Sequence, residues 1–176
     1  MNKQIRIGLI SAGLGVAGVV SHLVPHDMGV STVGAISMLA AAYLPRSLVM
    51  IPVMLTVLVV DAINGFYAIL AMSFVYLAYL VAALGITPLL KSVGTRNVLF
   101  AAVLNAVMFY LISNISQVAL GFYSATLQGW LLCYYNGLPF LLKGILANII
   151  FGGAAFLIIR IVGDIIAHRF PAAERH

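Results

Sequence analysis

The sequence predicts an all-α membrane protein, a bundle of six transmembrane helices with both termini in the cytoplasm. Of its 176 residues, 64% are apolar and only 7% carry a formal charge. A soluble domain has about a quarter charged residues, so this chain has too few polar groups to cover a water-facing surface. The apolar residues also fall into long runs separated by charges and turn signals. Lipid must therefore be the solvent for much of the chain.

The apolar runs set the predicted spans, because a helix that crosses a bilayer needs about 20 residues at a rise of about 1.5 Å each. Turn signals such as Pro25-His26-Asp27 and Pro45-Arg46 separate the first runs, and Asp61 ends the third. Within one transmembrane domain, residues 1–176, the predicted spans are 5–24, 32–44, 47–60, 66–90, 97–113 and 138–166. The second and third runs are short, so one re-entrant or tilted pair is the alternative to two full crossings.

The basic residues predict the orientation, since Lys and Arg accumulate in cytoplasmic loops. With six crossings only Lys143 lies towards the outer side. The other basic residues, on the opposite side, are Lys3, Arg6, Arg46, Lys91, Arg96, Arg160, Arg169 and Arg175. We therefore expect a multi-pass protein of the inner (cytoplasmic) membrane, with loops 25–31, 61–65 and 114–137 facing outward. We also expect the amino-terminal segment to be a span and not a cleaved signal, because no small-residue cleavage site follows it.

Composition and motifs argue against several classes of protein. The net charge of +5 does not indicate nucleic acid binding, because the basic residues are scattered and not gathered on one face. A lone cysteine, Cys133, excludes an intramolecular disulfide and a cysteine-based zinc site of the usual type. The sequence has no phosphate-binding glycine loop, no His-Glu-x-x-His and no Gly-x-Ser-x-Gly. We therefore expect no enzyme activity, no cofactor and no built-in ATPase, so any energy for transport must come from a partner.

Polar and aromatic side chains gather at the predicted outer ends of the helices. Ionisable groups at membrane depth are costly unless they are paired or hydrated, so such positions usually face a cavity. The candidate substrate-binding residues in this set are His26, Asp61, Asn64, Tyr67, Asn114, Gln117, Gln128, Tyr134, Asn136 and Lys143. The set is completed by His22, Asp27, Tyr123, Trp130 and Tyr135.

Several of these residues have simpler interpretations. Asp61 can be a helix-end residue in contact with water, and the long side chain of Lys143 can reach the outer headgroups. The two can also pair with each other or contact a ligand. The Tyr and Trp cluster can form an interfacial aromatic belt instead of a ligand-stacking wall. His22 and His26 are weak evidence for a metal, and we predict no metal site.

Small residues form a ridge on the first span. Gly8, Ser11, Gly15 and Gly18 follow helical spacing, with Ala12 beside them. Small side chains let another backbone approach closely. The ridge therefore indicates close helix packing, either inside this bundle or against a different membrane subunit.

A series of short stretches spread over about residues 24–152 forms a recognisable pattern. It comprises Val24-Pro25-His26, Thr32–Ala35, Ala41–Leu44, Asp61, Lys91–Leu99, Asn114 and Gly129–Phe140. The pattern resembles an uncharacterised family of bacterial membrane proteins allied to the substrate-binding (S) components of energy-coupling-factor (ECF) transporters.

The resemblance implies a six-helix protein that captures a vitamin or another small nutrient from outside. Such a protein hands its ligand inward by associating with a membrane-embedded T component and cytoplasmic ATPases. The resemblance also implies that small residues of the first helix, here Gly8, Ala12 and Gly15, contact that partner. The ligand is then held under the outer loops, and the whole bundle reorients in the bilayer to release it.

This chain departs from the family pattern in two places. The family carries an Asn-Phe-Thr-Pro-like stretch after the Pro-His pair, whereas Met28–Thr32 follows here. Lys143 stands where a neutral polar residue is expected. The outer loop can therefore bind a different ligand or none, and the alternative function is that of a structural or scaffolding membrane protein without a ligand.

Overall fold

A computed structural model of the protein describes residues 2–24 and 30–169. Short 3-10 turns, Arg46–Leu48 and Leu89–Lys91, and a π-helical segment, Asn148–Gly152, lie between the α-helices. Helices and their connections account for the whole described part of the chain, so the predicted all-α class is confirmed there. The helices are α1 (Lys3–Leu23), α2 (Val33–Tyr43), α3 (Met50–Asn64), α4 (Ile69–Ile86), α5 (Thr95–Ser113), α6 (Ile115–Ala119), α7 (Leu127–Ala147) and α8 (Gly153–Arg169).

Helix length and hydropathy identify a membrane protein with four to six spanning helices. Four stretches are long and apolar enough to cross a bilayer: Lys3–Leu23, Arg46–Asn64, Thr95–Ala119 and Leu127–Ile165. Two further apolar helices, Val33–Tyr43 and Ile69–Gly85, are shorter.

The helix that contains the last predicted span begins before that span. The span is predicted over 138–166, after an outward loop over 114–137, but α7 starts at Leu127 and α6 occupies part of the same stretch. The polar and aromatic residues of this region therefore do not form a loop throughout. Thr126 provides the start signal, because its side chain accepts a hydrogen bond from the Gly129 amide at 3.2 Å and caps the helix.

Helix α2 forms the centre of the bundle. Nine of its 11 residues, Val33 to Ala41, are buried. Gly34, Ala35, Ser37 and several alanines give it little width, and small residues allow surrounding helices to approach its backbone closely.

Helix α1 packs on α3 along part of the small-residue ridge. A Cβ atom on Gly15 would lie 3.0 Å from the Leu55 side chain, and one on Gly18 would overlap Thr56. The Thr56 hydroxyl hydrogen-bonds Pro52 O at 2.8 Å and lies 3.4 Å from Gly15 O. The order of these contacts shows that the two helices run in the same direction. Most of the remaining α1 surface is exposed.

Helices α5 and α7 are antiparallel neighbours. Gly137 of α7 faces Tyr110, near the end of α5, and Gly144 faces Ala106, one turn earlier. Asn148, at the start of the π-helical segment, reaches Ala102. Small residues on α7 thus bring its backbone close to α5 over about three turns.

Candidate functional site: a polar cavity in the helix bundle

A cavity of about 110 Å³ lies in the bundle between α2, α4, α5 and α7. We call it the amide cavity and define it by its polar lining residues, Ser31, Tyr79, Asn105, Tyr110, Ser113, Asn114 and Asn148. Apolar and aromatic side chains, including Phe109 and Phe140, make up the rest of its wall.

Two buried asparagines form the inner end of the amide cavity. Asn105 is 3% exposed and Asn148 is 4% exposed. The Asn148 side-chain amide donates to Ala102 O at 3.0 Å and to Asn105 Oδ1 at 3.2 Å. These bonds fix the Asn105 amide in the cavity wall.

The Asn105 Nδ2 group is left without a hydrogen-bond partner among the described residues. An unsatisfied buried donor costs about 1–3 kcal/mol, so buried polar groups in native proteins nearly always have a protein or water partner. A cavity of about 110 Å³ has room for water or a small molecule beside this group. The Asn105 amide is therefore poised to donate to something that enters the cavity.

Close backbone packing brings the asparagines to the cavity wall. A Cβ atom on Gly34 of α2 would overlap the Asn148 side-chain amide. Glycine is therefore needed at this position for α2 and the π-helical segment to approach each other. Asn148 is the first residue of that segment. Single π-helical turns inside long helices occur frequently at functional sites, because they change which side chains face the neighbouring helices.

Aromatic residues and Asn114 form the other end of the amide cavity. The rings of Tyr79 and Phe109 pack in a tilted arrangement, with centroids 4.4 Å apart and an interplanar angle of 39°. The Tyr110 hydroxyl donates to the backbone carbonyl of Tyr134, and Asn114 Nδ2 donates to Tyr110 O at 2.8 Å. These contacts hold the aromatic wall in a defined geometry.

A second cavity, of about 160 Å³, adjoins the amide cavity at Tyr79. We call it the Asp61 chamber and define it by its polar lining residues, His22, Asp61, Tyr67 and Tyr79. Tyr76 donates a hydrogen bond of 2.8 Å to Asp61 Oδ2.

A polar contact continues from the Asp61 chamber towards α2. The Ser31 hydroxyl lies 3.4 Å from His22 Nδ1, and it accepts a hydrogen bond of 3.2 Å from the Val33 amide. Ser31 itself lines the amide cavity. The two cavities thus share one end of the bundle.

The structure distributes the predicted substrate-binding residues over several places. Asn114 lines the amide cavity, and Asp61 and Tyr67 line the Asp61 chamber. Gln128 and Tyr134 lie on a shallow apolar surface of α7. His26 lies outside the described residues.

The other predicted site residues line neither cavity. Asn64 is exposed at the end of α3, and Lys143 is half-buried on α7. Gln117 donates to Ser116 Oγ at 3.3 Å, and exposed Asn136 donates to the Tyr123 hydroxyl at 3.2 Å.

The predicted partner-contacting residues on α1 divide into two groups. Gly15 is buried against α3, so this position serves packing inside the chain. Gly8 and Ala12 are exposed, and a Cβ atom on Gly8 would meet no other atom within 4 Å. Only the exposed pair leaves room for another helix.

Sequence reasoning missed the asparagines at the centre of the site. Asn105 and Asn148 each stand inside a long apolar run, away from the helix ends where polar residues were sought. An amide side chain at membrane depth is costly, as a charged side chain is. The sequence therefore marked both asparagines as functional candidates.

Among the described residues, no group of three or more side chains that could hold a metal ion occurs.

Comparisons with known proteins place the chain in a family. No curated protein and no solved structure matches the chain. A family model does match residues 2–172, and the chain belongs to that family of unknown function, DUF6580.

Proposed function

We propose that this protein is a substrate-binding membrane subunit that takes up a small, vitamin-like nutrient and is energised by a partner ATPase module. The observation that carries the proposal is the unpartnered Asn105 amide in the amide cavity. A purely structural bundle gains nothing from an unsatisfied donor, whereas a ligand with an acceptor atom removes its cost. Ligand sites in helical membrane proteins are built between helices from a few polar groups in an apolar wall.

The proposal includes six crossings of the bilayer with both termini on the cytoplasmic side. Helices α1 and α3 run in one direction and α5 and α7 in opposite directions, as this topology requires. Helix α2 has 11 residues, or about 17 Å of rise, so the second crossing needs residues beyond both helix ends to cover a hydrocarbon core of about 30 Å. Its short length agrees with its buried position, because neighbouring helices and not lipid surround it.

The amide cavity lies at a depth that suits a transported ligand. Asn105 stands near the middle of α5, which spans Thr95–Ser113. Polar side chains near the centre of a membrane helix are costly and mark substrate or ion pathways. The adjoining Asp61 chamber, near the outer end of the proposed topology, provides an entry path from outside.

The chemistry of the amide cavity favours binding over catalysis. Its described lining residues include no Asp, Glu, His, Cys or Lys that can act as a nucleophile or as an acid and base pair. The sequence also lacks a nucleotide-binding loop, so the proposal assigns energy coupling to separate ATPases. The exposed α1 face at Gly8 and Ala12 is the proposed contact for the T component that links the chain to them.

Native mass spectrometry of the purified protein tests the proposal. We expect one small molecule per chain in the wild type and loss of that molecule in Asn105→Leu, which keeps a similar shape but removes the amide. Asn97→Leu is the matched control, because Asn97 is on the same helix and lines neither cavity, and its side-chain amide donates to Ser92 O at 2.8 Å. No copurifying molecule, together with no associated T component or ATPase, would favour a scaffolding protein without a ligand.

A further inference from the structure

We infer that the substrate of the amide cavity is an uncharged molecule the size of a single planar ring, with a hydrogen-bond acceptor that faces Asn105 Nδ2. The inference rests on the proposed function and adds the substrate class. It follows from the volume of the cavity, the charge of its wall and the position of the unpartnered amide.

The volume restricts the substrate to a small molecule. The amide cavity measures about 110 Å³. An engineered protein cavity of about 150 Å³ binds benzene, so the smaller amide cavity holds at most a single ring. A fused two-ring molecule requires the helices to move apart.

The wall excludes a charged substrate. None of the described residues that line the amide cavity is acidic, basic or a histidine. A charge taken from water into such a site has no counter-ion, and an unpaired buried charge costs far more than a neutral polar group. Asp61, the nearby acidic group, lies in the adjoining chamber and already accepts a hydrogen bond from Tyr76.

The Asn105 amide selects for an acceptor on the substrate. Asn105 Oδ1 already accepts from Asn148, whereas the Nδ2 donor of the same amide has no partner among the described residues. A ring carbonyl, as in a lactam, places an acceptor against it and removes the cost of the unpartnered donor.

The aromatic wall favours a planar ring. The tilted rings of Tyr79 and Phe109 contact each other, and Tyr110 and Phe140 also line the cavity. Rings of this kind pack by offset-stacked or edge-to-face contacts, which a flat substrate provides and a flexible chain does not.

Equilibrium dialysis with a matched set of probes tests the substrate class. 2-Pyridone is neutral and planar and has a carbonyl acceptor. Toluene has a similar size but no acceptor, and N-methylpyridinium has a similar size but a positive charge. Quinolin-2-one keeps the carbonyl acceptor and adds a second ring. We expect 2-pyridone to bind at least about tenfold more tightly than each of the others, because each loses the amide hydrogen bond, the neutral charge or the fit. Detergent micelles without protein correct for partitioning.

Asn105→Leu provides the second arm of the experiment. In this variant we expect the preference for 2-pyridone over toluene to disappear, while Asn97→Leu keeps it. Equal or tighter binding of N-methylpyridinium or quinolin-2-one would overturn the inference, as would an unchanged preference in Asn105→Leu.

The identity of the copurifying molecule shows whether the inferred substrate class is wrong or the proposed uptake function is wrong. If mass spectrometry identifies an ionised or multi-ring molecule that Asn105→Leu loses, the uptake function stands and the substrate class is overturned. If no probe and no natural molecule binds, both are overturned.

Discussion

The amide cavity and the Asp61 chamber are neighbours that share Tyr79 and differ in their chemistry. The first is lined by neutral amides, hydroxyls and rings, and its Asn105 donor has no described partner. The second contains a carboxylate that is already bonded to Tyr76. Asp61 lies within one turn of the end of α3, whereas Asn105 lies near the middle of α5.

This difference follows from the cost of polarity at each depth. A carboxylate near a helix end can contact water and headgroups, so it needs only modest compensation. An amide in the centre of the bundle is tolerated because it is neutral, but each of its hydrogen bonds must still be made. The amide cavity therefore contains a donor that still needs a partner, whereas the carboxylate of the Asp61 chamber already has one.

The largest expected effect comes from the wall of the amide cavity. Gly34→Leu places side-chain atoms where the Asn148 amide now lies, and overpacking at such a site costs about 3 kcal/mol of folding free energy. Gly13→Leu is the matched control, since a Cβ atom there meets nothing within 4 Å. Thermal unfolding in detergent micelles should show a clearly lower midpoint for Gly34→Leu alone. Equal midpoints for the two variants would mean that α2 does not pack tightly on the cavity.

The next effect separates the two cavities by ligand affinity. For the copurifying ligand, Asn105→Leu should weaken binding by about 10- to 100-fold, because one buried hydrogen bond is lost. Asp61→Asn keeps an acceptor for Tyr76 and should change affinity by less than about twofold. Isothermal titration in micelles measures both. The reverse order of effects would place the ligand in the Asp61 chamber.

The smallest effect belongs to the Asp61 chamber itself. Tyr76→Phe removes the 2.8 Å hydrogen bond to Asp61 and should lower the unfolding free energy by about 1 kcal/mol, because water can partly replace the hydroxyl. Ligand affinity should stay unchanged. Denaturant titration in mixed micelles checks the stability. A loss of ligand binding as large as that of Asn105→Leu would remove the distinction between the two cavities.

Hydropathy alone predicted the helical class, and the helices α1 to α5 lie close to the first five predicted apolar runs. Charges and prolines such as Arg46, Asp61 and Pro88 end apolar runs where helices also end or turn, because each is costly inside a lipid-facing helix. The start of the last span was missed because Gln128, Trp130 and Asn136 made the segment look like a loop. Their polarity is compatible with an exposed helix once Thr126 caps it.

The candidate site was harder to predict, since it depends on which helices meet. Asn114 and Asp61 were found because they interrupt the sequence at helix ends. Asn105 and Asn148 are distant in sequence, and only the packing of α5 against the π-helical segment brings them together. The small-residue ridge was likewise ambiguous, and contact with α3 shows that Gly15 is used inside the chain while Gly8 is not.

The most direct test of the account is a structure of the protein with its copurifying ligand bound. The account predicts ligand density in the amide cavity, with an acceptor atom about 2.9 Å from Asn105 Nδ2. Ligand density confined to the Asp61 chamber, or a ligand-saturated protein with an empty amide cavity, would contradict it.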